Sequence, residues 1–344
     1  MLMDPTYHEP TVRGPMVAVS ELASRFKGVN VRAWRALEGV FPARVSRSWM
    51  NRMRDAGDPL ALQVLPTDDE LVEDLAAVPN PVGEQGRMPT PWVVQKHTDR
   101  ALLLPTRRCH VHCRYCFRRD LPGEKEPTAE ELSASIAYLK AQGLREVILS
   151  GGDPLVLSDG RLADIIDALR PEIPQIRIHT RAPVTFPARV TDALASVLAA
   201  RAPVRVVIHA NHPAEFSGEV RAAIGRLRDR GIPLLNQSVL LKGVNDSVDV
   251  LVGLNQELEA NGVQPYYLHH TDRAPGTQKF WVEIERGLDI HQELSRRVRR
   301  PPRYVIDPPD GSGKIPVAQW AARSTPRPVP SAEALGRGPW PPAI

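Results

Sequence analysis

The chain has 344 residues, 42% hydrophobic, 24% charged and 5% aromatic, with a formal net charge of +4. That apolar content suits one large domain or two modest ones and excludes a disordered chain. No segment approaches the ~18 apolar residues of a membrane-spanning helix, and sparse aromatics leave no stacking platform for nucleic acid.

Residues 1–95 read as helices and connectors. The opening MLMDPTYHEP lacks the basic flank and apolar core of a secretory leader, so the cytosol is the expected compartment. Apolar residues at helical spacing (Leu22, Phe26, Trp34, Leu37) fill the stretch from Val19 to Met53, which breaks near Phe41-Pro42. Proline- and aspartate-rich connectors follow around Asp58-Pro59 and residues 79–81.

From about residue 100 the texture becomes a regular alternation. Short apolar runs stand at 101–104, 146–149, 176–179, 204–209, 233–235, 266–269 and 303–306. Amphipathic stretches at 128–143, 160–170, 187–200, 215–230, 248–261 and 281–298 separate them. This pattern predicts an α/β fold, a partial or open (β/α) barrel with a parallel sheet, behind an N-terminal helical segment. The expected division is 1–95 helical, 96–317 barrel and 318–344 a proline-rich tail. The basic run Ser295–Arg303 reads as a solvated helix end or as a patch for an acidic partner.

Polar residues follow the apolar runs in register: Cys109, then Gly151-Gly152-Asp153, Arg181, His209-Ala-Asn211-His212, Asn236-Gln237 and Asp272. In a parallel barrel these positions converge on one rim, where active sites form.

Two scarcities sharpen the picture. All three cysteines, Cys109, Cys113 and Cys116, fall within eight residues. An odd number so closely spaced suits metal, not a disulfide framework. Three thiolates can hold three irons of a [4Fe–4S] cluster, or zinc with His110 or His112 as a fourth ligand. The string CHVHCRYC resembles the radical S-adenosylmethionine (SAM) signature, whose open iron chelates SAM. Ser150-Gly151-Gly152-Asp153-Pro154 resembles the same superfamily's GGEP-type loop, where glycine backbone approaches the SAM amine. Only seven of the 44 basic residues are lysine. One of them, Lys314, sits in Asp307-Pro-Pro-Asp-Gly-Ser-Gly-Lys314, a glycine-flanked setting that suits a Schiff-base lysine for pyridoxal phosphate (PLP) as well as a plain exposed loop.

Residues 58–317 resemble the lysine 2,3-aminomutases as a family. The shared strings are DRALLL, CFRR, LSGGDPL, RAPVTFPARV, HANHP, NQSVLLKGVND, PYYLHHTD and YVIDPPDGSGKIPV. The resemblance implies three cofactors: a [4Fe–4S] cluster on Cys109, Cys113 and Cys116, SAM, and PLP on Lys314. It further implies PLP-phosphate contacts from Lys96 and Arg100, and SAM contacts from His209 and Gln237 beside the Ser150–Asp153 loop. Arg118 matches the arginine that clamps the substrate carboxylate, and Asp272 and Asp307 match the aspartates that receive the distal ammonium of lysine. Two buried carboxylates require a cation between them, which favours lysine over acidic or neutral substrates.

The implied reaction is hydrogen abstraction from lysine Cβ by a 5′-deoxyadenosyl radical, followed by migration of nitrogen from Cα to Cβ to give β-lysine. An electron donor such as flavodoxin or ferredoxin, and a homo-oligomer, are implied as partners. Lys96 and His97 depart from the Arg-Tyr pair of the better-known mutases. The absence of cysteines after Lys314 resembles the short bacterial enzymes that supply β-lysine for elongation factor P. The intact Asp307–Lys314 segment resembles the free-lysine enzymes. An aminomutase acting on another amino acid and a non-catalytic iron–sulfur or zinc-binding protein are the remaining alternatives.

Overall fold

Each apolar run of the alternating region becomes a parallel strand. In the computed structural model, which describes residues 16–119 and 126–324, these are β2 (Arg100–Leu103), β3 (Glu146–Leu149), β4 (Gln175–Thr180), β5 (Val204–His209), β6 (Leu234–Val239), β7 (Gln264–His269) and β8 (Arg303–Ile306). Two strands too short to announce themselves in the sequence flank them. β1 (Val93–Val94) pairs antiparallel with β2, and β9 (Ile315–Pro316) pairs antiparallel with β8. The nine strands hydrogen-bond in chain order, and β1 and β9 are not paired with each other, so the curved sheet does not close. The expected open barrel is the observed architecture.

Among the described residues, four short helices precede the sheet: α1 (Val19–Arg25), α2 (Val31–Ala36), α3 (Arg47–Met50) and α4 (Pro59–Leu62). Between strands lie α5 (Ala129–Ala141), α6 (Asp159–Leu169), α7 (Ala182–Thr185), α8 (Asp192–Ala199), α9 (Gly218–Arg228), α10 (Val248–Ala260) and α11 (Ile284–Arg297), and α12 (Val317–Ser324) follows β9. Local chemistry sets their starts. Thr128 and Glu131 form a reciprocal capping box at α5, and Ser158, Thr191 and Ser217 accept from backbone N–H groups at α6, α8 and α9. The stretch expected as one helix over 187–200 is therefore a 3-10 turn at Pro187–Arg189 and then α8, because Thr191 caps a fresh start. The opening residues 1–10, read as no secretory leader, and the proline-rich stretch from 325 lie outside the described residues.

The helical segment before the barrel does not pack by itself. Leu22, Trp34, Trp49 and Leu60 join Leu103, Leu149, Ile178 and Ile208 in one continuous buried cluster. Burial alternates along the strands. On β4, Ile176, Ile178 and Thr180 are buried, while Gln175, Arg177 and His179 are half-buried. The lumen they face is polar. Arg177 holds the Glu146 carboxylate through two bonds of 2.6 and 2.7 Å from Nη2 and reaches the Tyr266 hydroxyl at 3.4 Å. Those partners stand on β3 and β7, so a side-chain floor spans the interior. A register slip opposite Asn236/Gln237 brings Tyr266 beside Tyr267, with ring centroids 4.0 Å apart.

Candidate active site

The loop after β2 carries the three cysteines, and its back is anchored by buried charge. Glu70 is fully buried and accepts from Arg114 Nη2 at 2.7 Å and Arg119 Nη2 at 2.8 Å, with Lys279 Nζ at 3.5 Å. Burial alone would raise the Glu70 carboxyl; bonding and charge from Arg114, with Lys279 and Arg119, hold it below the ordinary range instead. Arg114 and Arg119 also lie over the Phe41 ring at 4.5 and 4.8 Å. Since Arg114 falls between Cys113 and Cys116, this network fixes the loop from outside.

The three cysteines are half-buried. Burial pushes Cys109 well above the ordinary thiol range, with Asp153, Cys116 and Cys113 adding to it, and burial and then Cys113 push Cys116 up to about 11. Among the described residues no three His, Cys, Asp or Glu side chains converge to the separations that a bound metal imposes. The donor chemistry still fits an iron–sulfur cluster: three neighbouring sulfurs whose ionisation is costly in isolation are stabilised as thiolates once ligated. Of the two histidines named for the zinc alternative, His112 has one ring nitrogen committed to backbone. His112 Nδ1 bonds the Pro42 carbonyl at 2.6 Å while its ring stacks on Phe41, and His110 packs against Phe186.

Above the cysteines, the turn after β3 presses against their loop. Gly151 takes φ +109°, and a Cβ on Gly152 would stand 2.1 Å from the Arg108 carbonyl oxygen. Gly152 N–H donates to Thr106 O and Asp153 N–H to Arg108 O. Asp153, expected at SAM, has its carboxylate committed internally: Oδ1 accepts from Thr180 and Leu155, and Oδ2 from the Arg181 N–H. Through these bonds its carboxylate braces the loop from within. His209, at the end of β5, pairs in register with Gln237 on β6 and lies 3.0 Å from the Tyr115 hydroxyl through Nε2. Asn211 Nδ2 donates to the same hydroxyl at 2.8 Å.

A second cluster of charges gathers around Lys314. Lys96 Nζ lies 3.0 Å from Asp307 Oδ1 and also bonds the Val82 carbonyl, while Lys314 Nζ lies 3.1 Å from Asp307 Oδ2. Burial and then Asp307 raise the Asp272 carboxyl to about 7, against the pull of Lys314 and Lys96. Asp307 stays ionised, since Lys314 and Lys96 outweigh its burial. Arg118 also reaches this region, but its fork is occupied: Nη2 and Nε hold Glu84 at 2.6 and 2.8 Å, and Nη1 faces Ser150 Oγ and the Gly151 carbonyl. Arg100 pairs with Asp99 at 3.2 Å, and both are exposed. His97 lies against Gly313, whose Cβ would meet the ring at 2.7 Å.

Sequence reasoning missed several of these groups. Glu84 and Glu70 sit in polar stretches that read as solvated. His179 and His269 are kept neutral by burial, His269 pushed down to about 3 by burial and Lys314. Both lie on lumen-facing strand positions, the one signal that could have found them.

An open, polar-lined β/α barrel with three cysteines after its first parallel strand and a glycine turn after the second is the architecture of a radical SAM enzyme. The model of the Radical SAM superfamily matches residues 103–252. The L-lysine 2,3-aminomutase of Buchnera aphidicola is 37% identical over 299 residues, covering 84% of this chain and 86% of that protein. The L-lysine 2,3-aminomutase of Methanococcus maripaludis is 39% identical over 76% of this chain, which spans 62% of that longer relative. Among solved structures, native anSMEcpe with bound AdoMet aligns with a TM-score of 0.45 and 11% identity, over 57% of this chain and 58% of that one. The chain belongs to the L-lysine 2,3-aminomutase family and is an isomerase of the aminomutase kind. Membership brings with it a [4Fe–4S] cluster, SAM and PLP. Among the described residues no helix is long and apolar enough to cross a membrane.

Proposed function

We propose that this chain moves the α-amino group of L-lysine to Cβ, giving β-lysine, with residues 96–317 as the catalytic unit. The observation that carries this reading is the carboxylate pair Asp272 and Asp307 placed beside Lys314 and Lys96. Two acidic groups this close and this buried favour a cationic guest.

Cys109, Cys113 and Cys116 would hold the cluster and leave one iron for SAM. When bound, these would supply the hydrogen-abstracting radical, and PLP would supply the carbonyl chemistry that lets an amino group change carbon. The protein's own residues position and exclude. Lys314 anchors PLP, with Lys96 and Arg100 offered to its phosphate. Ser150, Gly151, Gly152, His209 and Gln237 line the SAM side. Arg118 would turn Nη1 from Ser150 Oγ and the Gly151 carbonyl to the substrate carboxylate while Glu84 holds the rest of its fork in orientation. Asp272 and Asp307 accept the far ammonium and fix the distance from Cβ to the radical source. Buried His179 and His269 stay neutral and leave the positive charge to the lysines. A one-electron donor such as flavodoxin or ferredoxin completes the system.

Reconstituted protein incubated anaerobically with lysine, SAM, PLP and dithionite should yield β-lysine, and Lys314→Ala should lose both product and the visible absorbance of bound PLP. Absence of β-lysine from the active, cluster-loaded protein, or turnover of another amino acid in its place, overturns this reading.

A further inference from the structure

We propose that Arg181 is a positioning residue for the iron–sulfur cluster: by donating from Nη1 to Cys113 Sγ it fixes that sulfur and raises the reduction potential of the cluster. The proposal rests on the assignment of the cluster to Cys109, Cys113 and Cys116.

The N–S distance is 2.9 Å, and Arg181 is only 7% exposed. Its geometry is set from several directions. Nη2 donates to Gln63 Oε1 at 2.6 Å and lies 3.4 Å from Glu215 Oε2. The guanidinium carbon lies 4.6 Å from the Trp49 ring centroid and 5.5 Å from that of Tyr115. Its backbone N–H donates to Asp153 Oδ2 at 2.8 Å. The planar fork lets one side chain serve sulfur, amide and carboxylate together, which a lysine ammonium on a flexible stem does not reproduce.

Potentials of iron–sulfur clusters follow net charge and hydrogen bonds to the sulfurs. Reduction adds negative charge, so a buried cation bonded to a ligand sulfur favours the reduced state. Glu215 opposes it. This carboxylate is fully buried, and its Oε1 accepts from Gln63 Nε2 at 3.0 Å and from the Asn211 N–H at 3.1 Å. The nearby Arg52 guanidinium donates to the Glu215 backbone carbonyl, not to its carboxylate. Arg181 and Glu215 therefore act on the cluster with opposite sign, and the N-terminal residues Trp49 and Gln63 keep both in place.

The test is an EPR-monitored redox titration of the reconstituted protein without SAM or substrate, so that it reads the cluster and not turnover. Glu215→Gln keeps the shape and the acceptor while removing the opposing charge, and its midpoint should be more positive than that of the wild type. The double variant R181Q/E215Q removes both charges without stranding a buried ion, and its midpoint should be more negative than that of E215Q. A midpoint in E215Q at or below the wild-type value, or equal midpoints in E215Q and the double variant, overturns the proposal. If the double variant fails to retain its cluster, the E215Q shift alone decides. A wild-type protein with no [4Fe–4S] signal overturns the assignment of the cysteines, and this proposal with it.

Discussion

On the proposed function, Asp272 joins substrate choice to pH through one carboxyl. Its folded pKa of about 7 stands above the ~3.9 of an unfolded aspartate, so the folded chain binds the extra proton between those values. Its contribution to stability is complete below about pH 4 and is lost as pH rises through 7. In the proposed function the lysine ammonium meets Asp272 in its ionised form, so that binding would release a proton below pH 7. The apparent affinity for lysine should weaken by up to about tenfold per pH unit on going down from 7. Asp272→Asn should raise the KM for lysine and flatten that profile; a slope that survives the substitution would point to a different group. Single residues were legible in the sequence where chemistry is rare. Three cysteines and seven lysines left few candidates, whereas Glu84, on the Arg118 fork, looks like any surface glutamate until the fold brings it inward.

The cysteine loop depends on two buttresses that belong to other elements. Glu70 faces three cations in a water-free setting. Glu70→Gln should cost about 3–5 kcal/mol, seen as a lower Tm and as poor iron incorporation, because Arg114, Arg119 and Lys279 lose their one buried carboxylate. Gly152 supports the loop from the other side. Gly152→Ala drives a methyl into the Arg108 carbonyl, so residues 107–108 must shift, at a cost on the order of 1–3 kcal/mol, and SAM-dependent changes in the cluster's EPR signal should be lost. The seven inner strands were readable because short apolar runs recur between amphipathic stretches of helical length. β1 and β9 were not, since two residues carry no period. Glu70 was hidden by its neighbours: Asp68-Asp69-Glu70 reads as a solvated run, and only the fold separates the buried third member from the other two.

At the scale of the molecule, the helices before the barrel and the barrel itself share one core. Trp49, Leu60 and Val64 bury against the same cluster as Leu149 and Ile178. Thermal unfolding should therefore give one transition, and deleting residues 1–57 should yield aggregating protein that holds no cluster. Two separate transitions would show an independent leading unit. The open sheet has a further mechanical meaning. A closed barrel is a hoop whose girth is fixed by strand number and shear. This one is cut, and Lys314 stands on the lip of the cut, immediately before β9 and between β8 and the free edge. In the proposed function Lys314 is the amine that exchanges partners, and its place on the lip lets it swing like a latch without stretching the ladder of the seven inner strands.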